Sequence, residues 1–302
     1  MITFKQIKYA LAVAEQLHFK KASDDCFVSP STLSNAITEL EFNIGFKIFE
    51  RSNKKVIITK LGLEFINKAK KINLQVKNIN EMKLNYLDSM SYPISMGIIP
   101  TISPYFLPIA LPRIKNDFPN LPLEIEESES KTLIDKVKEG DLDMAILALP
   151  YALGDLVYFK FWAEDFYLVS NKKNELSNKN EIHASELQSS KLMLLEDGHC
   201  LKDHILKACN IDIKSKYSLK ASSLQTLIQL VKGDMGSTLI PKMAINQLIR
   251  TNNNLSIAHL NEPGPHREIC IVTRKDYWGL ENIKLLCSIF SEEMHKNDYN
   301  ND

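Results

Sequence analysis

The sequence predicts a multidomain α/β chain: a small basic helical module, one long helix, and a body of two α/β lobes. Three observations predict it. Apolar residues recur at helical spacing through residues 1–62, interrupted by a Ser29-Pro30 helix-start signal. Over residues 63–86 apolar positions repeat at alternating steps of four and three, the spacing of a packed helical seam. Beyond Met90, strand and helix patterns alternate, the order that builds an α/β sheet.

Composition excludes several classes. The 302 residues are 44% hydrophobic and 25% charged, ordinary for a globular chain. No run of 18 apolar residues occurs, and Met1-Ile2-Thr3-Phe4-Lys5-Gln6 lacks an export core. A cytoplasmic protein with no membrane partner is therefore expected. Five cysteines, an odd and sparse set, do not make a secreted disulfide framework. Net charge is zero but unevenly spread. Residues 1–90 hold 14 Lys+Arg against 9 Asp+Glu, and the remainder hold 23 against 28. A basic module on an acidic body suits an anionic polymer.

The first helix runs through Phe4, Ile7, Tyr9-Ala10-Leu11 and Val13-Ala14, and a short second one runs from His18 to about Cys26. Ser29 then caps a third helix with Pro30 at its first position. It buries Leu33, Ile37, Leu40 and Ile44, with Gly45 as its stop. Its other face offers Ser31, Thr32, Ser34, Asn35 and Thr38, small polar side chains suited to base edges and phosphates in a major groove. Residues 47–51 and 55–59 read as a two-stranded hairpin that brings Arg51, Lys54 and Lys55 to phosphates. The chain has 32 Lys but 5 Arg, so Arg51 is not the default cation, and its fork grips phosphate in a way lysine cannot. A small helical bundle with a solvated polar face would show the same periodicity.

The long helix carries Phe65, Ala69, Ile72, Val76, Ile79, Lys83 and Tyr86 along one stripe, interrupted by Lys83. Paired with a second copy, it would space two reading heads on a two-fold symmetric site. In the body, residues 94–99, 123–126 and 142–149 read as strands, with helices over 104–116 and 130–139 between them. Residues 166–169 open a second parallel set with 191–194, a helix near 223–232, and 237–240. A strand over 267–272 and a helix over 280–293 close the chain, and residues 296–302 are expected to be disordered.

The segment from Leu195 to Cys209 stands apart. Cys200 follows Gly198-His199 in a charged, turn-prone stretch, and Cys209 lies nine residues on. A free cysteine usually behaves as a small buried hydrophobe, which suits Cys26, Cys270 and Cys287 among their apolar neighbours. A cysteine in a polar setting is more often chemical. His199, Cys200, His204 and Cys209 do not match a standard zinc spacing, so no metal is expected, nor any other cofactor.

Phe19-Lys20-Lys21-Ala22-Ser23, Val28-Ser29-Pro30-Ser31-Thr32-Leu33-Ser34, Leu40-Glu41, Gly45, Phe49-Glu50-Arg51 and Thr59-Lys60-Leu61-Gly62 together resemble the winged helix-turn-helix of LysR-type transcriptional regulators. That family commonly has Gln-Pro where this chain has Pro30-Ser31, a departure at a position that often contacts DNA. The resemblance implies three parts: a winged helix-turn-helix at 1–62, a linker helix for dimerisation at 63–90, and a two-lobed periplasmic-binding-protein-like effector domain at 91–302, its second lobe spanning roughly 165–265. It also implies double-stranded DNA, a homodimer assembling into a homotetramer, and RNA polymerase as partners.

Leu194-Leu195-Glu196-Asp197-Gly198-His199-Cys200-Leu201-Lys202-Asp203, with Cys209, is similar to the redox segment of the peroxide-sensing branch of that family. The resemblance implies a Cys200 sulfenic acid resolved by Cys209 into a disulfide. It implies a peroxide site with Thr101 and Ser130 hydroxyls, His199, Lys202, Asp203 and Arg267 around the thiol, and a glutaredoxin- or thioredoxin-like reductant. Ser130 stands where the family has Thr, and Lys202 where it often has Arg. A disulfide needs Cα atoms within about 7 Å, whereas nine helical residues span about 13.5 Å and point to opposite faces. Bonding must then remodel the segment. A regulator that takes a small organic effector between the lobes is the alternative. A thiol peroxidase is a third reading, against which the DNA-reading head argues.

Overall fold

The structure is a computed structural model. It describes the chain except residues 53–54, 82–89, 188–190, 211–219, 250–251, 253 and 300–302. Two compact units result, Met1–Lys83 and Leu84–Asp302.

In the first unit α1 (Phe4–Gln16) begins with a capping box in which Thr3 accepts from Gln6 N–H while the Gln6 side chain accepts from Thr3 N–H. Helix α2 (Phe19–Asp25) is capped by His18, and α3 (Pro30–Ile44) by Ser29 with Pro30 in the first turn. Tyr9, Val13, Leu33, Ile37 and Leu40 meet in one core, as their spacing requires. The hairpin of β1 (Phe49–Ser52) and β2 (Lys55–Ile58) is antiparallel, Phe49 opposite Ile58. Its first strand starts later than the expected 47–51. The reason is hydrogen bonding: buried Glu41 of α3 accepts from Ile48 and Phe49 N–H at 2.9 and 3.1 Å, and Thr59 donates to Lys47 O at 2.7 Å.

Helix α4 (Lys60–Glu81) follows at once. Gly62 lies so close to the residue before β1 that a Cβ there would sit 2.2 Å from Ile48 O, which explains the glycine in the Thr59–Gly62 signature. Ala69 of the expected seam is buried and Val76 half-buried, while Ile72 and Ile79 are 46% and 65% exposed. Lys83 and Tyr86 lie outside the described residues.

The second unit starts as expected, with β3 (Ile94–Ile98), α5 (Ser103–Asp117), β4 (Leu123–Glu127), α6 (Ser130–Glu139) and β5 (Met144–Leu149). An unexpected strand, β6 (Val157–Glu164), comes next. The chain crosses through Asp165 into β7 (Phe166–Asn171) and continues with β8 (Glu181–Ile182), α7 (Ala184–Leu187), β9 (Leu194–Leu195), α8 (Cys200–Ala208), β10 (Lys220–Ala221), α9 (Leu224–Lys232), β11 (Thr238–Pro241), α10 (Ile245–Leu248) and β12 (Leu255–Leu260). It returns through β13 (Arg267–Thr273) and ends in α11 (Leu280–Tyr299).

Lobe 1 holds the five-stranded sheet β4-β3-β5-β13-β6, with β3, β4 and β5 parallel and β13 antiparallel to both neighbours. Lobe 2 corrects the expected parallel set. In its sheet β11-β7-β12-β8, β7 is antiparallel to β11 and β12, and the parallel pairings among the described residues are β12–β8, a small β9–β10 pair and a single bridge between Leu192 and Ser237. The physical reason is the crossover: β7 enters the lobe and β12 leaves it alongside, so the two must run in opposite directions. Each lobe has its own hydrophobic core.

The chain end also differs from the expectation. Residues 296–299 are helical, held by Lys296–Glu293 at 2.9 Å and Lys242–Asp298 at 2.7 Å. Residues 300–302 lie outside the described residues. Among the described residues no helix is long and apolar enough to cross a membrane.

Candidate redox site and nucleic-acid interface

Helix α8 carries both chemical cysteines. Cys200 is its first residue and Cys209 its C-cap, still in helical conformation. They are 3% and 4% exposed, but in different places. Cys200 packs into the core of lobe 1, while Leu201, Ile205 and Cys209 pack into that of lobe 2. Nine helical residues turn through two and a half turns, so the two thiols face opposite ways.

A tight crevice, closed to a molecule the size of water, lies against Cys200, lined by Ile99, Pro100, Thr101, Glu129, Ser130, Gly198 and His199. Gly198 has φ +106, and a Cβ there would meet the Glu129 carboxylate at 2.6 Å. The backbone conformation calls for glycine, whereas the exposed Glu129 side chain could turn aside. Buried Arg267 donates to Glu164 Oε1 at 2.7 Å, and to Thr101 Oγ1 and O at 3.4 and 3.3 Å. Glu164 and Arg267 stand opposite each other where β6 pairs β13, and Glu164 also accepts from Met243 N–H at 2.8 Å. The guanidinium is thus fixed beside the crevice. Ser130, first residue of α6, has a buried hydroxyl with no hydrogen bond of good geometry among the described residues.

Three influences favour a Cys200 thiolate: the Ser130 hydroxyl, the Arg267 charge and its own N–H at the start of α8. Burial is larger than all of them, and Asp203 adds to it, so the thiol pKa is raised. Burial pushes Cys209 higher, to about 12. Both groups rest as thiols.

The structure gathers Thr101, Ser130, His199 and Arg267 around Cys200. Lys202 is elsewhere: its amine pairs with Asp197, which also takes Lys220 at 2.9 Å. Asp203 is exposed in the first turn of α8. Sequence reading missed Glu129 and Glu164, whose partners are distant in the chain. It also gave His204 no role in the peroxide site. That side chain is buried one turn after Cys200, with Nε2 3.0 Å from Pro150 O. Cys270 is buried in lobe 1, and Cys26 and Cys287 are half-buried. Among the described residues no group of three or more His, Cys, Asp and Glu is placed to hold a metal.

In the first unit the polar face of α3 has the expected residues. Ser29, Pro30, Ser31, Thr32, Asn35 and Thr38 are exposed and Ser34 half-buried. Several hydroxyls are engaged with one another: Ser29 Oγ lies 2.9 Å from Ser31 Oγ and 2.8 Å from Thr32 Oγ1. Arg51 reaches back from β1, donating to Ser34 Oγ at 2.7 Å and stacking 4.1 Å above the Phe19 ring. The hairpin arginine and α3 therefore form one exposed surface. Lys55 is exposed beside it, and Lys54 lies outside the described residues.

Comparison with known proteins places these parts. Residues 4–63 match the bacterial regulatory helix-turn-helix protein, lysR family, and residues 88–294 match the LysR substrate binding domain. The HTH-type transcriptional regulator EstR of Acinetobacter baylyi is 35% identical over 90% of this chain and 91% of its own. OxyR of Escherichia coli, a DNA-binding transcriptional dual regulator, is 31% identical over 90% of each chain. Among solved structures, a full-length OxyR cysteine-to-aspartate variant from Pseudomonas aeruginosa superposes with TM-score 0.78 at 29% identity, covering 96% of this chain and 95% of that one. An H2O2-bound OxyR cysteine-to-serine mutant from Corynebacterium glutamicum gives 0.67 at 30% identity, covering 97% and 93%. The chain belongs to the LysR family of DNA-binding transcriptional regulators, and within it closely resembles OxyR.

Proposed function

We propose that this regulator senses hydrogen peroxide through Cys200 and is switched by a Cys200–Cys209 disulfide. One observation carries the reading: a single helix holds both thiols, each packed in a different lobe, with Cys200 beside Thr101, Ser130 and Arg267. In the first step Cys200 Sγ attacks one peroxide oxygen. The O–O bond breaks, the sulfur becomes sulfenic acid, and the other oxygen leaves as water with the thiol proton. Arg267, Thr101 and Ser130 orient the peroxide and stabilise the charge that develops on sulfur and on the departing oxygen. In the second step Cys209 Sγ displaces the hydroxyl, which leaves as water with the Cys209 proton.

The disulfide closes only if α8 unwinds, since its ends are about 13.5 Å apart and a disulfide tolerates about 7 Å. One cysteine must leave its core, and lobe 1 and lobe 2 then pack differently around it. That rearrangement is the signal to the DNA-reading heads of a dimer paired along α4, itself part of a tetramer. Promoter DNA and RNA polymerase are the partners of the output, in the cytoplasm. A glutaredoxin- or thioredoxin-like protein resets the thiols. The test is peptide mapping after one equivalent of peroxide, with promoter footprints of both forms. A Cys200–Cys209 linkage and a peroxide-dependent footprint lost in Cys200→Ser are expected. A footprint that still shifts with peroxide in that variant defeats the reading.

The match of residues 88–294 to the LysR substrate binding domain favours a second reading, an organic effector held between the lobes. The pocket there, lined by Trp162, Tyr167, Lys242 and Asn246, holds about 180 Å³, below the roughly 300 Å³ at which ligand pockets usually begin. A larger apolar groove of about 790 Å³ runs along α5 and shares no lining residue with the Cys200 crevice. A metabolite that shifts the footprint of Cys200→Ser protein would establish this second reading.

A further inference from the structure

The interval between the two cysteines contains a buried polar side chain with no part in the chemistry above. His204 lies one helical turn after Cys200, on the same face of α8, and is 3% exposed. Its ring nitrogen Nε2 lies 3.0 Å from the carbonyl oxygen of Pro150, the residue that follows β5. A carbonyl can only accept, so Nε2 carries the proton. Nδ1 is then a bare acceptor, buried and without a partner among the described residues. Burial holds the ring pKa down at about 4, with the Arg267 charge acting in the same direction. The ring is neutral at physiological pH, and the tautomer is fixed by the carbonyl.

The placement of this bond matters more than its strength. Leu201 and Ile205 of α8 belong to the core of lobe 2, whereas Cys200 packs into lobe 1. Pro150 also belongs to lobe 1, directly after its central strand β5. So the Cys200–His204 face is fastened to lobe 1 at two points one turn apart: the thiol in the core, and the imidazole on the carbonyl. Once Cys200 is oxidised and must travel toward Cys209, the first fastening is released by the chemistry itself. The second is not. His204 sits inside the stretch that has to unwind, so its bond must break before the disulfide can close.

We propose that His204 is a positioning residue that holds oxidised α8 in place and so sets the rate at which Cys209 resolves the Cys200 sulfenic acid. The inference rests on the redox reading above. It assigns the resolving step, and hence the dose of peroxide that switches the protein, to a hydrogen bond rather than to thiol reactivity. A slow resolving step keeps the sulfenic acid open to reduction by small thiols, so a brief exposure does not commit the helix to refolding.

Two substitutions separate the bond from packing. Met fills much the same space and cannot donate, whereas Gln can donate its amide N–H to Pro150 O. Full-length protein is oxidised with one equivalent of hydrogen peroxide. Sulfenic acid is trapped with dimedone at intervals, and disulfide is counted by mass spectrometry. In His204→Met the sulfenic acid should convert roughly three- to tenfold faster than in wild type, the scale of one net hydrogen bond. The rate at which peroxide consumes the Cys200 thiol should change little, and His204→Gln should return the conversion to near the wild-type rate. Equal conversion rates in wild type and His204→Met would overturn the proposal. So would a loss confined to the peroxide step, which would make His204 part of the first reaction instead. If wild type itself forms no Cys200–Cys209 bond, the redox reading fails first, and the two failures are thereby distinguished.

Discussion

At Cys200 burial and polarity oppose each other, and burial prevails: the thiol is raised although a hydroxyl, a guanidinium and a helix start all favour its anion. Ser130 is the most exchangeable of these. Its hydroxyl is buried beside the Cys200 thiol, where it would bind the charge that the proposed reaction creates. Ser130→Ala should slow peroxide consumption about ten- to a hundredfold, the worth of a hydrogen bond to a charged group, while Ser130→Thr stays close to wild type. Stopped-flow loss of thiol measures both, and equal rates in all three proteins would remove Ser130 from the site. His204 gives a separate pH signature. Its folded pKa is about 4, against about 6.5 unfolded. Between those values the unfolded chain binds the extra proton, so stability is full above pH 6.5, falls as pH drops, and levels off below about 4. The loss is at most on the order of 3 kcal/mol. Between pH 6.5 and 4.5 the melting temperature of wild type should fall further than that of His204→Gln, because glutamine does not titrate. Parallel curves would contradict the depressed pKa. Of the residues near Cys200 in sequence, His199 lines the crevice, whereas Lys202 turns to Asp197. Arg267, Thr101 and Ser130 were legible only through resemblance, and Glu164 not at all, because its role depends on standing opposite Arg267 across a strand pair 103 positions apart.

Elements were legible where local signals agree. Thr3, His18 and Ser29 each accept a backbone N–H at the start of a helix, and these caps fall where the apolar periodicity begins. The element missed in lobe 1, β6, alternates Val157, Phe159 and Phe161 with Tyr158, Lys160 and Trp162, a readable strand whose place at the sheet edge only β13 decides. The direction of strands in lobe 2 was not readable, because it follows from where the chain enters and leaves. The late start of β1 depends likewise on one distant carboxylate. Glu41 of α3 is 3% exposed, and it satisfies the N–H groups of Ile48 and Phe49 as well as the Lys47 amine at 2.8 Å. Glu41→Ala leaves two buried donors unsatisfied, a cost of about 2–4 kcal/mol. The first unit should melt well below its wild-type temperature by circular dichroism and bind operator DNA weakly. An unchanged transition would show that the hairpin stands without this carboxylate. Arg51 tests the interface that the hairpin presents. Arg51→Lys keeps the charge but loses the guanidinium's hydrogen bond to Ser34 and its stack on Phe19. Operator affinity should fall while its salt slope is retained, whereas Arg51→Ala should lower the slope by about one unit.

For the whole molecule the question is how a change at one helix reaches DNA. A single chain offers one reading head, and the two-fold logic of such sites calls for a second copy. Helix α4 has the surface for it. Ile72 and Ile79 are seven positions apart, two turns along one face, and both are exposed, with half-buried Val76 between them. A heptad step of this kind is what a partner helix covers. Each isoleucine, if fully buried, would contribute roughly 1.5–3 kcal/mol, and in a two-fold interface each counts twice. Replacing both with lysine sets four charges into that seam. Sedimentation equilibrium should show the dimer weakened at least a hundredfold, and operator binding should become steeply dependent on protein concentration. The redox step supplies a control. Peroxide should still link Cys200 to Cys209 in the Ile72→Lys, Ile79→Lys protein, because α8 and both its cores lie within residues 84–302. The footprint should no longer respond, since no paired heads remain to be respaced. If this variant stays dimeric and keeps its peroxide-dependent footprint, the pairing runs through another surface and α4 is only a spacer.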